Sequence, residues 1–252
     1  MSNSLENTGR KQGLNSNVIK FIAIIAMTID HLTWTFFPGY QTDALPLLLH
    51  IIGRITAPIM CYFIAEGYFY TRNLKKYIIR LFVFAIISHF AYALLFGKNI
   101  IPFKTSIFDQ TSVIWALAWG LVALAVMQSE NQRLKPWLKN IIVILCCVMA
   151  FCADWSCIAT LVIVHMGTNR GKFKTQMVCL VVDVAMYAVI YSLFINVVYG
   201  IIQMTVVLAI PILYFYNGER GKWKGMKWLF YFYYPAHLTI LGLIKMFVLC
   251  QK

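Results

Sequence analysis

Charge is what this chain has least of. Only 12% of its 252 residues are Asp, Glu, Lys or Arg, and just nine are acidic. A soluble domain carries roughly a quarter charged residues. A chain this poor in charge cannot clothe its surface for water, which excludes an ordinary soluble globule and makes lipid its solvent. An apolar leader with a small-residue cleavage site is also lacking, so no removable signal peptide is read. None of the seven cysteines has metal-site spacing, and no metal is expected. Cys146 and Cys147 lie inside an apolar run. Cys152 and Cys157 flank an expected outer turn, where small apolar filler is the preferred reading and a disulfide the alternative. No repeat of the whole chain is found, so the inverted-repeat signature of many carriers is missing.

What the sequence has is apolar length. Hydrophobic residues make up 61% of it and the mean hydropathy is +0.72. Residues 1–17 are polar and read as a short disordered tail; residues 18–252 read as a single transmembrane domain. Nine apolar spans follow, at 18–37, 44–70, 77–96, 111–128, 138–153, 155–168, 174–198, 201–216 and 228–249. A helix needs about 20 residues to cross a ~30 Å hydrocarbon core, so the fifth, sixth and eighth are short and the pair at 138–168 is the least secure.

Basic residues outnumber acids by 22 to 9, a balance that can signal nucleic acid. Here they are dispersed among short loops, which is a membrane-topology pattern instead. Arg10, Lys11 and Lys20 precede the first span, and Arg72, Lys75, Lys76 and Arg80 follow the second. Arg133, Lys135 and Lys139 follow the fourth, and Arg170, Lys172 and Lys174 the sixth. Arg220, Lys222, Lys224 and Lys227 follow the eighth. These are 17 of the 22; the other side has Lys98, Lys104, Lys245 and Lys252. The expected fold is therefore all-α, a polytopic membrane protein of about nine transmembrane helices with the N-terminus cytosolic and the C-terminus outside. The loops "RGKFK" at Arg170 and "RGKWK" at Arg220 echo each other. Cytosolic anchoring is the preferred reading, and a pair of phosphate contacts the sharper one.

Asp30, His31, Arg54, Asp183 and His237 lie inside the spans, where a charge costs at least ~2.5–3.5 kcal/mol at the bilayer centre. From the rise per residue, His31 sits ~18 Å up from the cytosolic start of its helix, Arg54 ~15 Å down and His237 ~14 Å up. Three groups at one depth on three helices point to one polar pocket. The bland alternative is interhelical glue, with Asp30 paired to Arg54 and the histidines bonded to backbone or hydroxyls. Asp30 and His31 point about 100° apart, so Asp30 is expected to hold Arg54 or a neighbouring helix and leave His31 free to bind a proton. His50 shares a face with Arg54 at i, i+4 and is a candidate support. Asp183 is as well explained by a structural hydrogen bond as by a role. Near the inner boundary Glu66 is followed by Arg72, Lys75, Lys76 and Arg80. Those residues read either as a salt bridge with a topology signal, or as an anion dock with Glu66 orienting one arginine.

The strings "IKFIAIIAMTIDH", "GRITAPIMCYFIAEGYFYTRNLKKYIIRLFVFAIISH" and "FYYPAHLTIL" occur in that order and resemble the TraX family. The stretch from about 140 to 225 matches only in hydropathy. Members of that family acetylate the N-terminus of a conjugative pilin subunit. The family is similar to the larger transmembrane acyltransferases, including acyltransferase type three. Lys20 and His31 resemble the basic residue and essential histidine of their first helix. Arg72 and Arg80 resemble the arginines after their second, and "YPAHL" around His237 resembles their final histidine element. The resemblance implies a bacterial inner-membrane enzyme that takes acetyl-CoA from the cytosol. Joined to the reading of the residues, it makes His31 the expected general base and Asp30 an orienting acid working through Arg54 or a neighbouring helix, with Arg54, His237 or a hydroxyl such as Thr28 as oxyanion donor, and Glu66, Arg72, Lys76 and Arg80 as the dock for the donor's phosphates. Pilin is the precedent for the acceptor; lipid, glycan or another amine fits the residues equally. No cysteine is paired with a histidine by spacing, so no covalent relay is read. A proton-coupled transporter built on the same buried charges is the alternative.

Overall fold

The computed structural model describes residues 13–101, 110–132 and 134–249, apart from the side chains of residues 227, 248 and 249. The tail up to residue 12 and the topology residues Arg10, Lys11, Lys104, Arg133 and Lys252 lie outside the described residues. Eleven α-helices and no strand occur among those described. They are α1 (Ser16–Phe36), α2 (Ala44–Gly53), α3 (Thr56–Tyr70), α4 (Leu74–Phe96), α5 (Val113–Met127), α6 (Pro136–Ala150), α7 (Ser156–Thr168), α8 (Phe173–Phe194), α9 (Val197–Gln203), α10 (Ala209–Tyr214) and α11 (Met226–Ile244). Five stretches are long and apolar enough to cross a membrane: Ser16–Phe36, Ala44–Tyr70, Leu74–Phe96, Phe173–Phe194 and Val197–Tyr214. The other four expected spans coincide with α5, α6, α7 and α11, of which the first three are shorter apolar helices.

Polar caps and prolines set the ends and breaks. Asn15 opens α1 by accepting from the amides of Asn17 and Val18 at 3.0 and 3.2 Å, and Asn73 opens α4 by accepting from Lys76 at 2.8 Å. Such caps satisfy amides that no helical carbonyl can reach. The second span is one apolar run but not one helix, because a turn at Arg54 and Ile55 separates α2 from α3. Pro58 accounts for it: its ring has no N–H for the Arg54 carbonyl and clashes with that group in a continuous helix. Pro211 stands in the same relation to Val207, and there the eighth span tightens into a 3₁₀ stretch, Met204–Leu208, between α9 and α10.

The core is built on close helix approach. α5 lies against α7, where Gly120 leaves room for Ile163 and Gly167 for Leu124; a Cβ at either would come within 2.5 Å of those side chains. Small residues at such crossings let backbones pack in lipid, where apolar burial alone gives little. α11 packs against α1 and α4, and α9 against α2 and α8. The outward faces are apolar. Val178, Val182, Met186, Val189 and Leu193 stripe α8, and Ile141, Ile144, Leu145 and Val148 stripe α6, all more than two-fifths exposed. Bands of this extent are lipid-facing surface, and the chain is a membrane protein with several spans. The six described cysteines are free, Cys152 and Cys157 among them, so the disulfide alternative does not hold.

Orientation has a direct test. In a background without native cysteines, a cysteine at exposed Lys222 is expected to react with an impermeant maleimide only from the cytosolic face. Labelling from outside reverses the topology and the docking side with it.

Candidate functional site

Adjacent residues of α1 serve two different partners. Asp30 faces α2 and takes Nη2 of Arg54 on both carboxylate oxygens, at 2.9 and 3.1 Å. Nδ1 of the fully buried His50 lies 2.8 Å from the same carboxylate. Nη1 of Arg54 reaches Oε1 of Gln203 at 3.3 Å and ties α9 to the cluster. The pairing expected of Asp30 and Arg54 is present, and His50, expected beside Arg54, contacts Asp30 instead. The ion pair depends on Gly53, where a Cβ would stand 2.4 Å from that of Asp30. Nε of Arg54 is buried with no partner among the described residues.

His31 turns the other way, toward α11. It is not left free, as the sequence suggested: its Nδ1 is 2.7 Å from Nε2 of His237. His237 in turn places Nδ1 2.8 Å from the backbone carbonyl of Tyr233. A carbonyl only accepts, so Nδ1 of neutral His237 must carry its proton and Nε2 must accept. His31 then donates through Nδ1, and its Nε2 holds the lone pair. The Tyr233 carbonyl thus fixes the tautomer of a histidine on another helix. In this arrangement His237 is committed to His31 rather than available as an oxyanion donor. Thr28 is committed too, lying 2.7 Å from the Ile24 carbonyl and 2.6 Å from the Tyr233 hydroxyl. Tyr234 and Phe96 pack edge-on to the His31 ring, each at 6.1 Å.

Two spaces flank this centre. The larger, about 740 Å³, is lined by Lys20, Glu66, Arg72, Arg80 and Arg220 and runs inward to Met60, Ile114 and Leu117. The smaller, about 50 Å³, holds Asp30, His31, Arg54 and Asp154. Met60 and Ile114 line both, so the spaces abut there.

The charge pattern of the larger cavity differs from expectation in one respect. Glu66 orients neither Arg72 nor Arg80. It takes Arg170 of the "RGKFK" loop through both carboxylate oxygens, at 2.9 and 3.1 Å. Those bonds hold the Arg170 guanidinium proton more tightly than usual, and its plane lies over Phe69 and Tyr70 at 4.6 and 5.2 Å. Lys20, Arg72, Arg80 and Arg220 are thereby left without a free carboxylate in the cavity wall among the described residues. Arg80 lies 5.2 Å from the Tyr231 ring and 5.5 Å from Tyr77, with its Nε buried and unpaired among the described residues. Lys76 is exposed and does not line the cavity. Arg220 of "RGKWK" does, so the two matching loops have unlike roles. Asp183, left open by the sequence, lies 2.8 Å from Nδ1 of His165, away from both spaces.

Sequence reasoning overlooked Asp154, Gln203, His165 and Tyr233. Only the first three carry a polar signal inside an apolar region; Tyr233 acts through its backbone and has none.

Fold and centre define a class: a polytopic helical membrane protein with paired histidines beside a buried ion pair, and a basic cavity abutting that centre. The family model described as "TraX protein" matches residues 15–245, and the chain belongs to the TraX family. It is 32% identical over 248 residues to the probable fimbrial assembly protein FimC, serogroup H1, of Dichelobacter nodosus, covering 91% of this chain and 95% of that one. It is 26% identical over 161 residues to the uncharacterized protein RP591 of Rickettsia prowazekii (strain Madrid E), covering 53% of this chain and 60% of the other. No solved structure matches the chain.

The ion pair can be tested for its hold on the fold. Asp30→Ala leaves Arg54 buried without its counter-charge and is expected to cost about 3–5 kcal/mol in denaturant unfolding of solubilised protein. Adding Arg54→Met is expected to recover most of that loss.

Proposed function

We propose that this protein is an acetyltransferase of the bacterial inner membrane, moving an acetyl group from cytosolic acetyl-CoA to an amine or hydroxyl. The reading includes nine crossings with the basic loops inside. The observation that carries it is the shared wall at Met60 and Ile114, between a basic cavity and the chamber of His31. Coenzyme A is a multiply phosphorylated head on a long slim arm ending in the thioester. Lys20, Arg72, Arg80 and Arg220 supply uncompensated cations for that head. Guanidinium groups suit phosphate because their planar fork gives paired hydrogen bonds. The arm would follow the apolar wall inward, bringing the thioester carbonyl to Met60 and Ile114.

His31 is the general base. Its Nε2 takes the proton of the acceptor as the acceptor's nitrogen or oxygen attacks the carbonyl carbon. The new C–N or C–O bond forms, the C–S bond breaks, and the departing thiolate takes the proton back from His31. His237 supports the step: as Nε2 of His31 gains a proton, the Nδ1 proton shared toward His237 spreads the positive charge over two rings. The unpaired Nε–H of Arg54 is the donor for the developing oxyanion, where a preorganised donor counts most. The match to a probable fimbrial assembly protein supports a pilin-like acceptor.

His31→Ala is expected to lower turnover about 10²–10⁴-fold while acetyl-CoA binding, read by calorimetry, stays within error of the parent. Near-normal transfer by that variant would remove His31 from the base role.

Arg80→Ala and Arg72→Ala should instead raise KM for acetyl-CoA about tenfold to 100-fold, the factor for one or two charge-assisted hydrogen bonds. Tight binding in both variants would reduce the arginines to topology signals.

A further inference from the structure

We infer that Arg220, held in place by the segment that opens α1, reads the 3′-phosphate of coenzyme A and makes the cavity select the donor over its 3′-dephospho form. This rests on the acetyl-transfer reading and adds to it a specificity residue, a positioning segment and the part of the donor they recognise.

The loop that carries Arg220 is clasped. Residues 13–17 and 215–223 lie side by side. The Leu14 amide donates to the Phe215 carbonyl at 2.8 Å, the Asn217 amide to Leu14 at 3.0 Å and the Ser16 amide to Glu219 at 2.9 Å. Ser16, 4% exposed, donates its hydroxyl to the Arg220 carbonyl at 2.8 Å. Nδ2 of Asn17 donates to the Trp223 carbonyl at 3.0 Å. Gly221 presses on the same segment: at its φ of 83° a Cβ would stand 2.7 Å from Oδ1 of Asn15. The backbone on both sides of Arg220 is thus pinned to the start of α1. A basic residue that only marks the cytosolic side needs no fixed place. A cation that must meet a ligand gains from one, because less ordering remains to be done on binding.

The cations of the cavity lie in two tiers. Arg72 and Arg220 are exposed, while Lys20 and Arg80 are half-buried. Lys20 is one turn beyond Ser16 on α1, ~6 Å, and Arg80 is ~9 Å along α4 from Leu74. Met60 is deeper still, ~15 Å along α3 from the exposed Tyr70. Coenzyme A has the same order: thioester, arm, pyrophosphate, and last the ribose with its 3′-phosphate. With the thioester at Met60 and Ile114, the pyrophosphate comes level with Lys20 and Arg80. The 3′-phosphate then falls to the outer pair.

Charge favours Arg220 within that pair. It stands close enough to Lys20 for the two cations to repel, and neither is bonded to a carboxylate among the described residues. Like charges held together without a counter-ion are relieved by an anion. A phosphomonoester carries about −1.5 to −2 charges at neutral pH, the most of any single phosphate on the donor. The planar guanidinium takes two of its oxygens at once.

The test titrates the full chain in nanodiscs, at neutral pH and one ionic strength, with CoA and with 3′-dephospho-CoA, read by calorimetry. The parent is expected to bind CoA about tenfold to 100-fold more tightly, the range for one or two charge-assisted hydrogen bonds. Arg220→Gln, on an exposed loop, should remove most of that ratio. Ser16→Ala, which frees the Arg220 carbonyl, should narrow it part of the way. Lys20→Gln should weaken both ligands and keep the ratio. A parent that binds the two ligands equally, or an Arg220→Gln variant that keeps the parent's ratio, overturns the inference and leaves acetyl transfer standing. An unchanged ratio in Ser16→Ala overturns its positioning half. Loss of the ratio in Lys20→Gln alone gives the 3′-phosphate to the inner tier and also overturns it. A parent that binds neither ligand brings down the acetyl-CoA reading, and this inference with it.

Discussion

The contact between Asp30 and Arg54 governs the arrangement of the membrane core. An ion there is expensive, and a half-broken pair is worse than none. The carboxylate is therefore surrounded: Arg54 covers both its oxygens, and His50 adds a second contact to one of them. Gln203 holds the far side of the guanidinium. These groups come from α1, α2, the break after it, and α9. One polar contact thus fixes how four pieces of chain meet, in a solvent that gives apolar side chains little reason to choose one neighbour over another. The apolar remainder follows this register. Gly53 is small because a side chain there would occupy the space of Asp30.

That pair also decides what His31 can do. Consecutive helical residues diverge by about 100°, so once Asp30 is committed to α2 its neighbour must face α11. There the Tyr233 carbonyl sets the His237 tautomer, and His237 sets that of His31. A carboxylate could have oriented the imidazole instead, but it would have brought a second buried charge. A carbonyl already at hand in α11 imposes the same proton arrangement with no net charge.

Much of this was legible in the chain. The apolar runs gave the helices, and the cost of a midplane charge singled out Asp30, His31, Arg54 and His237. The 100° argument correctly separated Asp30 from His31. What stayed hidden depends on contacts without a sequence pattern. His237 Nε2 against His31 Nδ1 joins residues 206 apart in the chain, and no periodicity encodes that. Arg170 was read as an anchor because basic loop residues usually are; its partner Glu66 is fixed by tertiary packing. Asp154 escaped notice because it lies in a turn, where an acid is ordinary. Only the fold shows that this turn reaches the chamber. The break at Arg54 follows from Pro58, a local signal that hydropathy averages through.

The two basic loops show why motif identity is a poor guide to role in this protein. "RGKFK" and "RGKWK" share composition and spacing, and each puts a glycine with positive φ, Gly171 at 85° and Gly221 at 83°, after its arginine. In the first, the arginine meets the buried Glu66 and is spent on neutralising it. In the second it lines the cavity beside Lys20, and the Ser16 hydroxyl donates to its carbonyl at 2.8 Å. Had Arg170 not taken Glu66, that carboxylate would oppose any phosphate in the cavity or would draw off Arg72 or Arg80. The pairing of one loop therefore sets the charge available beside the other. The basic character of the cavity is a property of the fold, decided by which arginine reaches Glu66, the one acid lining it among the described residues, and not of the number of basic residues along the chain.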